Sequence, residues 1–129
     1  MGYLKYVKAL YKKPKESLGS LYKERLIQFR KEGTVVRLEK PTRIDRARGL
    51  GYKAKKGFFV VRVKVKRGGK MRPRFMSGRK TKQYRRKKVI DKSYNSIAEE
   101  RAARAHNNCE VIGSYEILRD GNYYWFEVI

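Results

Sequence analysis

The sequence predicts an α+β fold: a small mixed or antiparallel sheet of about four strands backed by helices, with an amino-terminal helical arm and a long basic loop. Apolar residues alternate with others from Phe58 to Lys66, the period of a half-buried strand. Two further strand-like runs flank Asp120-Gly121, a dipeptide suited to a hairpin turn. Helical spacing recurs before and after these strands. Because 129 residues suit one folding unit, we expect a single domain over residues 1–129.

The helical arm is predicted over residues 1–33. Tyr3, Val7 and Leu10 lie on one stripe at helical spacing, and Pro14 interrupts the pattern. A second helical run carries five apolar residues on one face: Leu18, Leu21, Tyr22, Leu26 and Phe29. We expect this run to end at Gly33 in the left-handed conformation that glycine adopts after a helix.

The middle of the chain contains a predicted strand, a short helix and a second strand. Thr34 to Leu38 is rich in β-branched residues and stops before a proline, as an early strand would. Thr42 and Asp45 have the spacing of a capping box, which predicts a small helix that closes at Gly49.

The strand from Phe58 to Lys66 is predicted to have one apolar face and one basic face. The apolar face consists of Phe59, Val61, Val63 and Val65. Arg62, Lys64 and Lys66 alternate with them, about 7 Å apart along the strand. Each neighbouring pair would repel by roughly 0.6 kcal/mol even in bulk water. The pattern therefore favours an anion on this face.

The carboxyl-terminal third is predicted to contain one helix and two strands. Ser96 and Glu99 have capping-box spacing for a helix that runs to about His106. Its inner face is expected to be a stripe of small residues, namely Ala98, Ala102 and Ala105. The strands are predicted at 110–118 and 123–128.

The charge distribution indicates a polyanionic partner. The formal net charge is +23, and residues 1–90 carry +26 while residues 91–129 carry −3. Between Arg62 and Lys88 there are 14 cationic side chains among 27 residues and no acid. We interpret residues 67–92 as an extended basic loop without structure of its own, and a second basic cluster surrounds Leu50-Gly51-Tyr52.

These two regions supply the candidate nucleic-acid-binding residues. They are Arg43, Arg46, Arg48, Lys53, Lys55, Lys56, Arg62, Lys64, Lys66, Arg67, Lys70, Arg72, Arg74, Arg79, Lys80, Lys82, Tyr84, Arg85, Arg86, Lys87 and Lys88. Phe75 and Tyr84 stand inside the basic loop as platforms on which unpaired bases could stack.

No catalytic, metal or cofactor site is predicted. His106 is expected at a helix end as a surface residue, and Cys109 as a small buried apolar residue without metal partners at zinc-like spacing. No nucleophile stands beside a plausible base. No stretch approaches 18 uncharged apolar residues, so no membrane partner is expected. No small-molecule substrate is expected either.

Several ordered blocks resemble the archaeal and eukaryotic large-ribosomal-subunit protein family called L-fifteen-e. The blocks are Pro41-Thr42-Arg43 with Asp45, Ala47-Arg48, Leu50-Gly51-Tyr52-Lys53-Ala54-Lys55 with Gly57, Arg67-Gly68-Gly69, Arg72-Pro73, Ala98-Glu99-Glu100-Arg101-Ala102, Ser114-Tyr115 and Glu127-Val128-Ile129. The opening Tyr3 and Tyr6 are also similar, so the resemblance spans nearly the whole chain.

The resemblance implies a structural, non-enzymatic constituent of the large subunit in the cytoplasmic ribosome. Its implied partners are ribosomal RNA, contacted by residues 43–56 and 62–88, and neighbouring ribosomal proteins. Family members continue past the strand that ends at Ile129 into a further basic segment, so the resemblance implies a chain truncated at its carboxyl end.

Two alternatives remain open from the residues. A general double-stranded nucleic-acid or chromatin-like binding protein would use the same charge. An RNA-processing enzyme would need the acids near Glu99 to face the basic loop.

Overall fold

The computed structural model describes residues 2–74, 76–79, 85 and 87–129. Within them lie five helices: α1 Leu4–Leu10, α2 Pro14–Ser17, α3 Gly19–Lys31, α4 Ile44–Gly49 and α5 Tyr94–Ala105. The described strands are β1 Val35–Leu38, β2 Val60–Lys66, β3 Lys70–Met71, β4 Lys87–Lys88, β5 Ser114–Arg119 and β6 Tyr123–Val128. This arrangement confirms the predicted α+β class. No helix among the described residues is both long and apolar enough to cross a membrane.

The main sheet has four antiparallel strands, which agrees with the predicted mixed or antiparallel sheet of about four strands, and their order is β1-β2-β6-β5. β2 and β6 occupy the centre, with Val61 opposite Val128 at one end and Lys66 opposite Tyr123 at the other. β5 and β6 form the predicted hairpin, with an irregularity between Glu116 and Leu118.

Both faces of this sheet are covered, whereas the alternation of β2 predicted that only one face would be. On one face Phe29 of α3 packs with Val60 and Trp125. On the other face Val63 and Phe126 pack against α5. Because α3 covers the face on which β2 carries its cations, that face is part of the core and not a charged surface.

Helix α5 begins one turn earlier than predicted. Ser93 is its N-cap, and the Oγ atom of Ser93 accepts a hydrogen bond from the backbone N–H of Ser96 at 3.2 Å. Ala98 and Ala102 are buried against the sheet, as predicted, but Ala105 is exposed.

Ala102→Leu is expected to lower the free energy of unfolding by about 1 to 3 kcal/mol, because the added atoms overpack the contact between α5 and the sheet. Ala105→Leu adds the same atoms to the same helix at an exposed position and is expected to change stability by no more than about 0.5 kcal/mol. Urea denaturation of both variants measures the difference. Equal stability of the two would contradict this orientation of α5.

Three predicted turn and cap conformations are wrong, because other groups in the fold take their place. Helix α3 ends at Glu32 in an extended conformation, and Gly33 has no positive φ. The backbone N–H of Thr42 donates to Glu127 instead of helping to form a capping box. Gly121 also has no positive φ, and the hairpin is closed instead by Asp120, whose Oδ1 accepts hydrogen bonds from the backbone N–H groups of Asn122 and Tyr123.

The basic loop contains a short ladder that the sequence did not predict. β3 and β4 pair at its base, with Lys70 opposite Lys88 and Met71 opposite Lys87. Like charges directly opposite each other destabilise a strand pair. The loop is therefore a hairpin whose own charges oppose its closure.

Candidate nucleic-acid interface

A first group of cations surrounds α4 and the loop that follows it. We call Arg46, Arg48, Lys53, Lys55 and Lys56 the loop cluster, and all five are exposed. Ala47 is fully buried between the two arginines, and the backbone N–H of Tyr52 donates to the carbonyl of Ala47 at 3.0 Å. Gly51 has a φ of +98°, which permits the chain to turn between Ala47 and Tyr52. Anchored from inside, this segment presents its cations outward.

Arg43 differs from the loop cluster because it is engaged within the chain. Its guanidinium Nη2 lies 2.8 Å from Asp45 Oδ2, and its Cζ lies 4.6 Å from the centre of the Tyr11 ring. Burial raises the pKa of Asp45, but the hydrogen bond and charge of Arg43 outweigh it and leave that pKa below its usual value. Arg43 therefore joins α1 to α4.

A second group of cations lies on the β3–β4 hairpin and at the end of β2. We call it the hairpin cluster, and it comprises Lys66, Lys70, Arg72, Arg74, Arg79, Arg85, Lys87 and Lys88, all exposed. The hairpin is oriented by Gly68, whose backbone N–H donates to the hydroxyl of Tyr94 at 2.9 Å. Tyr94 stacks on Tyr124 with ring centres 4.8 Å apart, so the base of the hairpin is tied to the main sheet.

The basic face predicted along β2 does not form. Arg62 is buried, pairs with Glu32 and lies 3.8 Å above the centre of the Phe29 ring. Lys64 Nζ donates to the carbonyl of Glu32 at 2.8 Å. Arg67 is exposed, yet its Nη1 donates to the carbonyl of Asp120 at 2.7 Å. Because Arg62 and Lys64 satisfy groups inside the fold, we leave them out of the interface.

The loop cluster and the hairpin cluster lie at opposite ends of β2. The loop cluster precedes Val60, and the hairpin cluster begins at Lys66. At about 3.3 Å per residue these ends are about 20 Å apart. The candidate interface therefore has two separate basic surfaces, which correspond to the two basic regions of the sequence. Four of the candidate residues, Lys80, Lys82, Tyr84 and Arg86, lie outside the described residues, as does Phe75.

The acids proposed for the enzymatic alternative are engaged elsewhere. Glu99 accepts a hydrogen bond from Ser114 Oγ at 2.6 Å, and Glu100 pairs with Lys92 and with Arg104. The Lys92 hydrogen bond and charge lower the pKa of Glu100. Within the described part of the chain, no group of three or more His, Cys, Asp or Glu side chains is placed to hold a metal ion.

His106 and Cys109 have structural surroundings. The His106 ring meets the edge of the Phe59 ring at 5.0 Å between centres, where α5 ends beside the start of β2. Cys109 is half-buried, more accessible than predicted, because it lies in the connection between α5 and β5.

The structural role of a buried carboxylate beside the start of α4 was missed by the sequence reasoning. Glu127 is fully buried in β6 and accepts hydrogen bonds from the Thr42 N–H, at 3.0 and 3.1 Å, and from the Tyr115 hydroxyl. Burial, followed by the negative charge of Glu127, raises the pKa of Tyr115 well above its usual value. The only signal in the sequence was an acid between Phe126 and Val128, both of which strand patterning assigns to the core.

Comparison with known proteins gives a consistent result. The model of the family described as Ribosomal L15 matches residues 2–129. "Large ribosomal subunit protein eL15" of Nanoarchaeum equitans is 51% identical over 129 residues, which cover 100% of this chain and 68% of that protein. The proteins of the same description from Methanococcoides burtonii and Methanocorpusculum labreanum are 49% and 50% identical over 126 residues, 96% of this chain. The chain spans 64% and 65% of their lengths.

Proposed function

The chain belongs to the ribosomal L15e family, and from that premise we propose that it is a structural constituent of the large ribosomal subunit in the cytoplasm that binds and stabilises folded ribosomal RNA. Family membership confirms the resemblance found in the sequence blocks. In this proposal residues 1–129 act as one RNA-binding domain, with neighbouring ribosomal proteins as further partners.

The observation that carries the proposal is that the cations of the two clusters form no ion pairs with acids among the described residues. Acids of the described residues pair with cations outside the two clusters, as Asp120 does with Arg30 and Glu32 with Arg62. No cation of the loop cluster or the hairpin cluster has an ion pair within the described part of the chain. Exposed cations that lack counter-charges of their own are available to phosphates.

The spacing of the two clusters favours folded RNA as the partner. Phosphate contacts by Lys and Arg position a nucleic acid without reading its sequence. Because the clusters flank the two ends of β2, which is about 20 Å long, they would hold two segments of a folded RNA in a fixed relation. Lys70 opposite Lys88 adds a reason for phosphate near the hairpin, since an anion between them would relieve their repulsion.

We propose no catalytic activity for this chain. Glu99 is engaged with Ser114 of β5, and Glu100 is paired with Lys92 and with Arg104. Turnover of RNA by the purified chain that is lost in Glu99→Gln would contradict this part of the proposal.

The proposal is tested by competition between nucleic acids. Folded large-subunit RNA is expected to displace the chain from duplex DNA at physiological salt, because a folded RNA can present phosphates of separate segments to the two clusters, whereas a duplex presents one regular helix. Labelled RNA with unlabelled duplex DNA as competitor measures the ratio. Equal affinity for the two would favour a general double-stranded nucleic-acid or chromatin-like binding protein.

The affinity for RNA is expected to fall steeply with salt. The two clusters contain 13 described cations. If about half of them contact phosphates, the slope of log affinity against log salt should be about −5, at −0.7 to −0.9 for each contact. Filter binding between 0.1 and 0.5 M salt measures this slope. A slope near −1 would contradict a broad phosphate interface.

A further inference from the structure

Helix α1 packs on the fold through one face only. That face carries Leu4, Val7 and Tyr11, which are half-buried. Arg25 Nη1 donates to the Tyr11 hydroxyl at 2.7 Å, and Arg43 lies over the Tyr11 ring. The helix has seven residues and none of them is buried. A helix this short is not stable alone, so these few contacts hold it in place.

A second face of α1 exposes aromatic rings to solvent. Tyr3 is 54% exposed and Tyr6 is 69% exposed, and Leu10 continues the same stripe at 43%. The sequence placed Tyr3 and Leu10 with Val7 on the packing face. In the structure Val7 lies on the packing face, whereas Tyr3 and Leu10 lie on the exposed face, because α4 contacts only one side of α1.

The third face of α1 is basic. Lys5, Lys8 and Lys12 recur at helical spacing and are exposed. None of them has an acidic partner within the described residues. No acid precedes Glu16 in the sequence. Lysine is depleted in protein–protein interfaces, so tyrosine beside unpaired lysine fits a nucleic acid better than a protein.

The basic face of α1 continues toward the loop cluster. Lys8, Lys12 and Arg46 line one cleft of about 500 Å³ between α1, α4 and the start of β5. The acid in that cleft, Asp45, is already paired with Arg43. A nucleic-acid strand bound at Arg46 therefore has a basic path onto α1.

We propose that α1 is a third RNA contact and binds unpaired nucleotides, with Tyr3 and Tyr6 stacking on bases while Lys5, Lys8 and Lys12 contact phosphates. The inference rests on the proposed function and extends it to a single-stranded segment. Exposed tyrosine rings can stack only on bases whose faces are free, which excludes the interior of a duplex. Neither tyrosine nor any of the three lysines belongs to the two clusters.

The test compares two double variants that are changed at the same two positions. Tyr3→Ala with Tyr6→Ala removes the rings, whereas Tyr3→Phe with Tyr6→Phe retains their stacking faces. The alanine variant is expected to bind folded large-subunit RNA at least about 5-fold more weakly for each base lost, and the phenylalanine variant to bind nearly as the unmodified chain does. Chemical probing of the RNA should find unpaired nucleotides protected by the unmodified and phenylalanine chains and reactive with the alanine chain.

Two further measurements separate this inference from the proposed function. Changing Lys5, Lys8 and Lys12 to Gln is expected to make the salt slope less steep by about 2. Equal RNA affinity and equal footprints for both tyrosine variants would overturn the inference, while the proposed function would stand if Arg85, Lys87 and Lys88 to Gln still weakened binding. A photoreactive phenylalanine in place of Tyr6 that captured only protein in assembled subunits would also overturn it.

Discussion

Replacing Glu127 by leucine is expected to lower the free energy of unfolding by about 2 to 5 kcal/mol. Leucine fills similar space but removes the acceptor of two hydrogen bonds, from the Thr42 N–H and the Tyr115 hydroxyl. Each donor that is left without a partner in the interior costs about 1 to 3 kcal/mol. Urea denaturation measures the loss, and amide exchange should report faster exchange at Thr42.

Tyr115→Phe is the matched control for this loss. It removes the Tyr115 donor, while the Thr42 N–H still donates to Glu127, so its cost should be about 1.5 to 3 kcal/mol, the range for one hydrogen bond to a carboxylate. Combining the two changes should cost less than their sum, because the leucine variant no longer leaves a buried hydroxyl unsatisfied. If Glu127→Leu melted at the temperature of the unmodified chain, Glu127 would not be a required connection between β6 and the start of α4.

Tyr115 also gives this network a pH dependence. Its pKa is raised in the folded chain, by burial and then by Glu127, so folding favours the protonated hydroxyl. The stabilisation is complete below the unfolded pKa, about 10, and is lost as the pH rises above it. Tyr115→Phe should therefore lose less stability than the unmodified chain between pH 9 and pH 11.

Changing Arg85, Lys87 and Lys88 to Gln is expected to weaken RNA binding by about 10- to 100-fold at 0.15 M salt while leaving the melting temperature nearly unchanged. If all three contact phosphates, the salt slope becomes less steep by about 2 to 3, which sets that range. All three are exposed, and Lys88 faces Lys70 across the hairpin. Their loss should therefore remove repulsion from the free chain and leave the core intact.

A charge-matched control distinguishes local contacts from net charge. Lys23, Lys31 and Lys40 are also exposed but belong to neither cluster nor to α1. Changing these three to Gln lowers the net charge equally and is expected to reduce affinity only slightly. An equal loss for both triple variants would mean that the hairpin cluster has no special role in binding.

The sequence predicted the strands well where local pattern and tertiary contacts agree. β6 has its predicted bounds, and β2 and β1 lie within one or two residues of theirs. Alternation is a local property of a strand, so it survives whichever elements cover the sheet. The helix caps and the hairpin turn were predicted less well. The cap of α5 and the turn at Asp120 depend on which of several nearby side-chain oxygens accepts the hydrogen bond of a free backbone N–H.

The sequence predicted which segments are basic, but it did not predict which of their cations are exposed. Exposed residues such as Arg46 and Arg72 are located by charge and loop composition alone. Arg62 has the same charge in the sequence, yet it is buried with Glu32, a residue 30 positions away. Nothing in the neighbourhood of Arg62 in the sequence indicates that partner.

The sequence by itself determined the α+β class, the presence of the four strands of the main sheet, the excess of positive charge and the resemblance to the family. Only the tertiary structure decided that α3 covers one face of β2, that Glu127 accepts hydrogen bonds from Thr42 and Tyr115, and that Arg62 and Lys64 are engaged inside the fold. The reason is physical. Periodicity records which side chains share a face, whereas burial and ion pairing depend on segments distant in the chain that meet only when the sheet and its helices assemble.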